Sequence, residues 1–251
     1  MARLESIYRY PVKGLSPERL PAVHLAPGQT LPADRKYAIE NGPSGFDPAV
    51  PSYLFKSYFL MLMKNERLAE LQTRYDDATH VLVIQGEGRE LARGDLSTKE
   101  GRLVIEAFFR RFMPAELRGP PKVLHAEGHS FSDVSAKVVS IINLASVAAL
   151  ETLVGQPVNP LRFRANLYVE GWPAWSELKM VGQEISIGPA RLKVTKRIMR
   201  CAATNVDPDS GIRDLAIPDT LVRTYDHMDC GVYARVIAGG EVKPGSEVAT
   251  L

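Results

Sequence analysis

The sequence predicts a mainly β protein with a few helices, an α+β chain arranged as two β-rich lobes. Three observations carry that prediction. Short apolar runs separated by Gly, Pro and Asp turns dominate both ends, the signature of antiparallel strands. Three longer segments place apolar residues at helical spacing. Between the halves, residues 113–121 hold Pro114, Gly119, Pro120 and Pro121, the composition of a linker. The expected division is therefore 1–114 and 115–251.

In order along the chain, residues 4–8, 22–25 and 37–40 are expected strands, with Ala26-Pro27-Gly28 as a turn. Residues 51–71 are an expected helix, because Leu54, Tyr58, Met61, Leu68 and Leu71 recur at its period. The run HVLVIQ at 80–85 is a strand, and Gly86-Glu87-Gly88 folds it onto a partner near 90–93. With no helix opening after it, this glycine pair is a hairpin turn and not a phosphate loop. A second helix is expected over 98–112, with Leu103, Ala107, Phe108 and Phe112 as its stripe. A strand at 138–142 leads into the third, with Asn143 as N-cap and Gly155 as C-cap. Strands at 165–169, 184–187, 191–195 and 232–237 complete the chain.

The 251 residues are 45% hydrophobic and 24% charged, with a net charge of +2. That balance gives no electrostatic case for nucleic acid or a membrane surface, so any anion site must come from local clustering. No stretch approaches the roughly 20 apolar residues of a spanning helix. The first residues lack the apolar core of a signal peptide, and a cytoplasmic location is expected. Two cysteines, Cys201 and Cys230, are too few for a disulfide framework or for the about four ligands of an iron–sulfur centre. Electrons for any redox chemistry would have to come from elsewhere.

Several motifs have a bland reading that wins. His125-Ala126-Glu127-Gly128-His129 lacks the Glu directly after the first His that a zinc protease needs, and reads as a loop. Asp207-Pro208-Asp209-Ser210-Gly211 has the wrong spacing for a calcium loop and reads as a stiff turn with Gly211 at positive φ. Cys230 leads into an apolar strand and reads as a packed thiol. Cys201 differs, because Lys196, Arg197 and Arg200 crowd just before it. Nearby cations favour the thiolate, which is both nucleophile and soft metal ligand. A buried strand-end cysteine would look the same, and local chemistry leaves both readings open. Arg162 and Arg164, two apart in NPLRFRAN, would share one face of an extended segment, where they could solvate a surface or clamp an anion. Lys13 in YPVKG and Arg35 in ADRKY add cations beside expected strands.

Taken in order, YPVKGL, ADRKYAI, NPLRFRANLYVEG, MRCAATNVDPDSG and CGVYARVIAGGEVKPGSEV resemble the MOSC family, with its N-terminal β-barrel module before the MOSC barrel. The strongest element is the signature Arg200, Cys201, Thr204, Val206, Asp207, Pro208 and Gly211. The resemblance implies two barrel-like lobes and a molybdenum cofactor (Mo-molybdopterin) with Cys201 as both metal ligand and catalytic residue. It implies cofactor contacts from Lys13, Arg35, Ser146, Arg164, Asn166, Arg200 and Tyr233. The implied activity is reduction of small N-hydroxylated substrates with electrons from a separate reductase. The alternative is a cofactor carrier or sulfur-handling protein without turnover. The chain departs from the family pattern at Gly14, where Ser is common, at Ala165, where relatives read Pro, and at Met199. Its WPAWSE segment, with Trp172, Trp175 and Glu177, is also unusual.

Overall fold

The computed structural model describes residues 1–251. The first half contains strands β1 (Ala2–Arg9), β2 (Glu18–Leu20), β3 (Val23–Leu25), β4 (Ala38–Asn41), β5 (Gln72–Tyr75), β6 (Val81–Gly86) and β7 (Arg89–Asp95), then helix α1 (Lys99–Phe112). The second half runs β8 (Pro121–Leu124), β9 (Val139–Asn143), helix α2 (Leu144–Val154), β10 (Leu167–Glu170), β11 (Glu184–Ile187) and β12 (Ala190–Met199). Helix α3 (Ile217–Tyr225) and strands β13 (Asp229–Ala238), β14 (Gly240–Val242) and β15 (Glu247–Thr250) follow.

Seven strands close into a barrel in the order β10-β9-β13-β12-β11-β15-β1, with β1 pairing back onto β10. Period-two alternation gives it an inside and an outside. In β12, Ala190, Leu192 and Val194 point inward while Arg191, Lys193 and Thr195 face out. The same rule sends Ile141 of β9, Ile185 and Ile187 of β11 and Val232 of β13 into one apolar core, and a register shift between Leu4 and Ser6 of β1 lets Leu4 and Ile7, three apart, both join it. The pair β9–β10 is parallel and carries α2 as its crossover. Against the outside of this barrel, α2 and α3 bury a smaller cluster that includes Leu150, Phe163, Leu221 and Cys230.

The first lobe packs the three-stranded sheet β5-β6-β7 and the pair β4–β8 around α1, which contributes Ile105, Phe108 and Phe109. Strands cross the sequence division near residue 115 in both directions. β1 completes the second lobe's barrel, and β8 pairs with β4 of the first lobe. Thr98 caps α1 by accepting from Gly101 N at 3.0 Å, and Asn143 caps α2 by accepting from Ala145 N at 3.1 Å. Gly155 ends α2 in the left-handed region, and Glu87-Gly88 turn β6 into β7 with positive φ at both residues.

One expected helix is absent and one helix is unforeseen. Residues 51–71 are not a helix but an irregular segment with short 3-10 turns at Lys56–Tyr58 and Glu66–Glu70. There the backbone bonds across the lobe, with Leu60 N donating to Ile39 O at 2.8 Å and Phe59 bridging Glu40. Helix α3 was not anticipated, although Pro218 in its first turn and Ile217 and Leu221 on its buried face are its signals. No helix is long and apolar enough to cross a membrane.

Candidate functional site

A cavity of about 390 Å³ opens at the junction of the lobes. Its walls carry eight cationic side chains, among them Lys13, Arg35, Arg164 and Arg200, against two carboxylates, Asp34 and Asp133. Cys201, Asn166 and Tyr233 line the same space. Seven of the eight residues expected at a site therefore meet in one place.

Local backbone pairing puts the first-lobe cations there. Lys13 N donates to Tyr37 O at 2.8 Å and Arg35 N to Tyr10 O at 2.7 Å, so the two short segments zip together. Gly14 follows Lys13 at φ +86°, where an added Cβ would sit 2.7 Å from Leu60 O. Glycine at this departure from the family pattern is a steric requirement. The Lys13 ammonium donates to Phe131 O at 2.8 Å and pairs with Asp133. Burial lowers the Lys13 pKa, and Arg35 and Arg164 push it the same way while Asp133 opposes them. Burial would raise Asp133, yet Lys13 holds it well below the usual carboxylate range.

Arg35 Nη1 donates to both carboxylate oxygens of Asp34, at 2.7 and 2.6 Å, and its Nη2 donates to Arg164 O at 2.8 Å. Arg164 has no carboxylate partner; its Nη2 donates to Leu15 O at 2.8 Å. Both guanidiniums lie over the buried Tyr10 ring, 4.4 and 4.3 Å from its centroid. The ring's negative face offsets part of the cost of holding two cations together.

The expected shared face of Arg162 and Arg164 does not form. Residues 160–163 make a 3-10 turn and Arg164 adopts φ 51°, so the two side chains diverge. Arg162 is 2% exposed at its side chain and pairs with Asp207 at 3.0 Å and Asp214 at 2.8 Å. The Asp207–Gly211 turn is built as expected. Asp207 Oδ1 accepts from Asp209 N and Ser210 N, and Gly211 takes φ +73°. Ala165 N donates to Tyr168 Oη at 3.1 Å, a bond that a proline there could not make.

Cys201 follows the end of β12 and is partly buried. Arg200, 8% exposed, donates Nε to Cys230 O at 2.7 Å and Nη1 to Phe163 O at 2.9 Å. Its Nη2 is buried with no hydrogen-bond partner. Gly231, at φ +79°, leaves room for that nitrogen, since an added Cβ would lie 3.0 Å from it and 2.5 Å from Ile141 O. Cys230 is fully buried and its thiol is pushed up to about 12 by burial, a packed core thiol. Asn166 spends its side chain on Ser140 and Tyr8 O, so it shapes the wall by tying β9 and β10 to β1.

Ser146, the eighth expected residue, is not on the cavity wall. It is fully buried on α2, donates to Glu177 at 2.8 Å and accepts from Trp175 N, away from the cavity. Its partner Glu177 also accepts from Asn143, so the WPAWSE segment anchors the start of α2 instead of the site. Sequence reading missed Asp133, Tyr53 and Lys56 on the cavity wall. Tyr53 and Lys56 fall in the 51–71 segment, whose helical spacing pointed to the wrong element, and Asp133 sits in a loop with no motif signal.

Residues 126–249 match the MOSC domain and residues 1–111 match the MOSC N-terminal beta barrel domain. The chain belongs to the MOSC family. Similar curated proteins include the mitochondrial amidoxime reducing component 2 of Bos taurus, 31% identical over 44% of this chain and 36% of that protein. The mitochondrial amidoxime-reducing component 1 of Homo sapiens is 30% identical over 40% of this chain and 28% of that protein. The match to this MOSC chain thus spans about a third of those relatives' length. Among solved structures, the YUAD protein from Bacillus subtilis aligns over 99% of this chain and 94% of its own, at 13% identity and TM-score 0.46.

The cavity's residues fit the cofactor associated with this family. A surplus of cations and an unpaired buried guanidinium nitrogen suit a phosphorylated, anionic group, and a thiol suits a soft metal centre.

Proposed function

We propose that this MOSC chain binds molybdenum cofactor and reduces N-hydroxylated small molecules with electrons from a separate reductase. The observation that carries the reading is one cavity that gathers eight cations beside the Cys201 thiol, with Lys56, Arg164, Lys196 and Arg200 free of any carboxylate partner. The names of the curated relatives, amidoxime-reducing components, support this choice of reaction class.

In this reading Lys13, Arg35, Arg164 and Arg200 hold the anionic tail, each a charge-assisted donor to phosphate oxygens. Tyr10 keeps Arg35 and Arg164 in place, and Asn166 and Tyr233 shape the wall. Cys201 is the protein's thiolate ligand to molybdenum. The cofactor, when bound, supplies two-electron chemistry that no side chain here provides. Water exclusion falls to the first-lobe segment with Met61, Leu62 and Met63, which covers one side of the cavity.

The test is to make the chain in cofactor-competent and cofactor-deficient hosts, then measure molybdenum, pterin and benzamidoxime reduction on the same samples. A reduced viologen or an added reductase system should support turnover only in the loaded protein, and NADPH alone should not. Loaded protein that is inactive with every donor would favour the carrier reading. Full activity in metal-free protein would overturn both.

A further inference from the structure

Arg213 lies outside the cavity wall, yet it ties together the two walls that flank Cys201. Its Nη1 donates to Ala202 O at 2.9 Å, one residue beyond the thiol. Its Nη2 donates to Leu62 O and Met63 O, each at 2.9 Å, and to the Glu66 carboxylate at 3.0 Å. Leu62 and Met63 belong to the first-lobe wall, and Cys201, Ala203 and Thr204 to the second. Cys201 is the N-cap of one short 3-10 turn, Ala202–Asn205, whose first carbonyl accepts from Arg213. Arg213 is itself placed by an antiparallel bridge to Val206, made as the chain returns from the Asp207–Gly211 turn. The lobes touch closely here, since a Cβ on Gly211 would lie 3.2 Å from Glu66 O.

We propose that Arg213 is a positioning residue that holds the Cys201 thiol against the first lobe and its buried cations. A planar guanidinium can serve four acceptors from two directions, whereas an ammonium presents its donors from one point. The Asp207–Gly211 turn of the family signature then has a mechanical purpose, which is to return the chain so that Arg213 reaches across the lobe junction. The proposal deepens the reading of Cys201 as a working thiol, but it stands on contacts within the chain.

The test uses full-length protein from a cofactor-deficient host and reads Cys201 alkylation by mass spectrometry. Neutral iodoacetamide and anionic iodoacetate are compared at one pH, with the unfolded chain setting the intrinsic ratio of the reagents and buried Cys230 as internal control. Held beside the cationic cavity, wild-type Cys201 should favour iodoacetate. Arg213→Ala and Arg213→Lys should both reduce that preference, on the order of tenfold, the low end of what a charged cleft adds to local ion concentration. Glu66→Gln, which spares the three carbonyl contacts, should keep it. Unchanged preference in both Arg213 variants would overturn the proposal. So would loss in Arg213→Ala with retention in Arg213→Lys, because charge alone would then suffice. If Arg213→Ala does not fold, the Lys variant decides. Absence of molybdenum from the loaded protein would sink the proposed function and leave this measurement standing.

Discussion

Arg162 and Arg164, two residues apart, should respond to truncation in opposite ways. Arg162 is buried and neutralised by Asp207 and Asp214, with a further bond to Asn205 O at 3.2 Å. Its removal leaves two carboxylates without their cation, and because both are partly open to solvent the loss is about 2–3 kcal/mol, the range of hydrogen bonds to charged groups. For a chain of this size that is a drop of roughly 4–12 °C in Tm. Arg164 has no carboxylate, one carbonyl partner and a contact with Tyr10, and burial works against its charge. Arg164→Ala should therefore change the stability of cofactor-free protein by about 1 kcal/mol or less, as expected for a group whose desolvation cost cancels its contacts. Its effect belongs to the ligand. One charge-assisted hydrogen bond is worth about 1.5–3 kcal/mol, or about 10- to 150-fold in affinity. The assay is thermal unfolding of cofactor-free protein beside pterin content after gel filtration of loaded protein. Equal destabilisation by the two variants, or full pterin retention by Arg164→Ala, would refute the assignment of Arg164 to the anion.

Cys201→Ser should keep the melting temperature of cofactor-free protein but lose molybdenum and turnover, whereas Cys230→Ser should keep the metal and cost about 1–3 kcal/mol from burying a hydroxyl. Metal content and Tm on the same preparations separate the two. Stability should fall between about pH 8 and pH 10, because the unfolded Cys230 thiol loses its proton near about 8.5 while the folded one holds it to about 12. The loss is about 2 kcal/mol at pH 10 by urea denaturation, and Cys230→Ala should remove that component. Gly231→Ala should destabilise by about 1–3 kcal/mol through its positive φ and the clash with Ile141 O, and should lower pterin retention by displacing Arg200. Unchanged pterin in a folded Gly231→Ala protein would count against Arg200 as a ligand to the cofactor.

Legibility in the sequence tracked the range of the interactions involved. α1 and α2 were readable to within a residue, because Thr98, Asn143 and Gly155 act within one turn of the chain. Residues 51–71 misled because their apolar spacing suits a helix, while Phe59 and Leu60 bond to Glu40 and Ile39, some twenty residues away. The period-two placement of Arg162 and Arg164 failed for a related reason. Asn159 caps a 3-10 turn by accepting from Leu161 N, and that turn breaks the extended geometry the spacing assumed. Ser146 was misplaced because nothing near it in sequence announces Glu177, its partner from 31 residues on.

By itself the sequence determined the residue types and the local turns: a cysteine after an arginine, a stiff Asp-Pro turn, glycines where φ must be positive, and strands whose alternation defines an inside and an outside. Those are short-range consequences of sterics and hydrophobic period. Only the tertiary structure decided which cations were paired and which were free to meet an anion. Arg162 and Arg164 have the same chemistry and nearly the same sequence environment. One met two aspartates and the other a tyrosine ring, because barrel closure through β1 brought Tyr10 to its side. Desolvation makes a buried charge depend on its partners, and those partners come from chain segments that neither residue can sense locally.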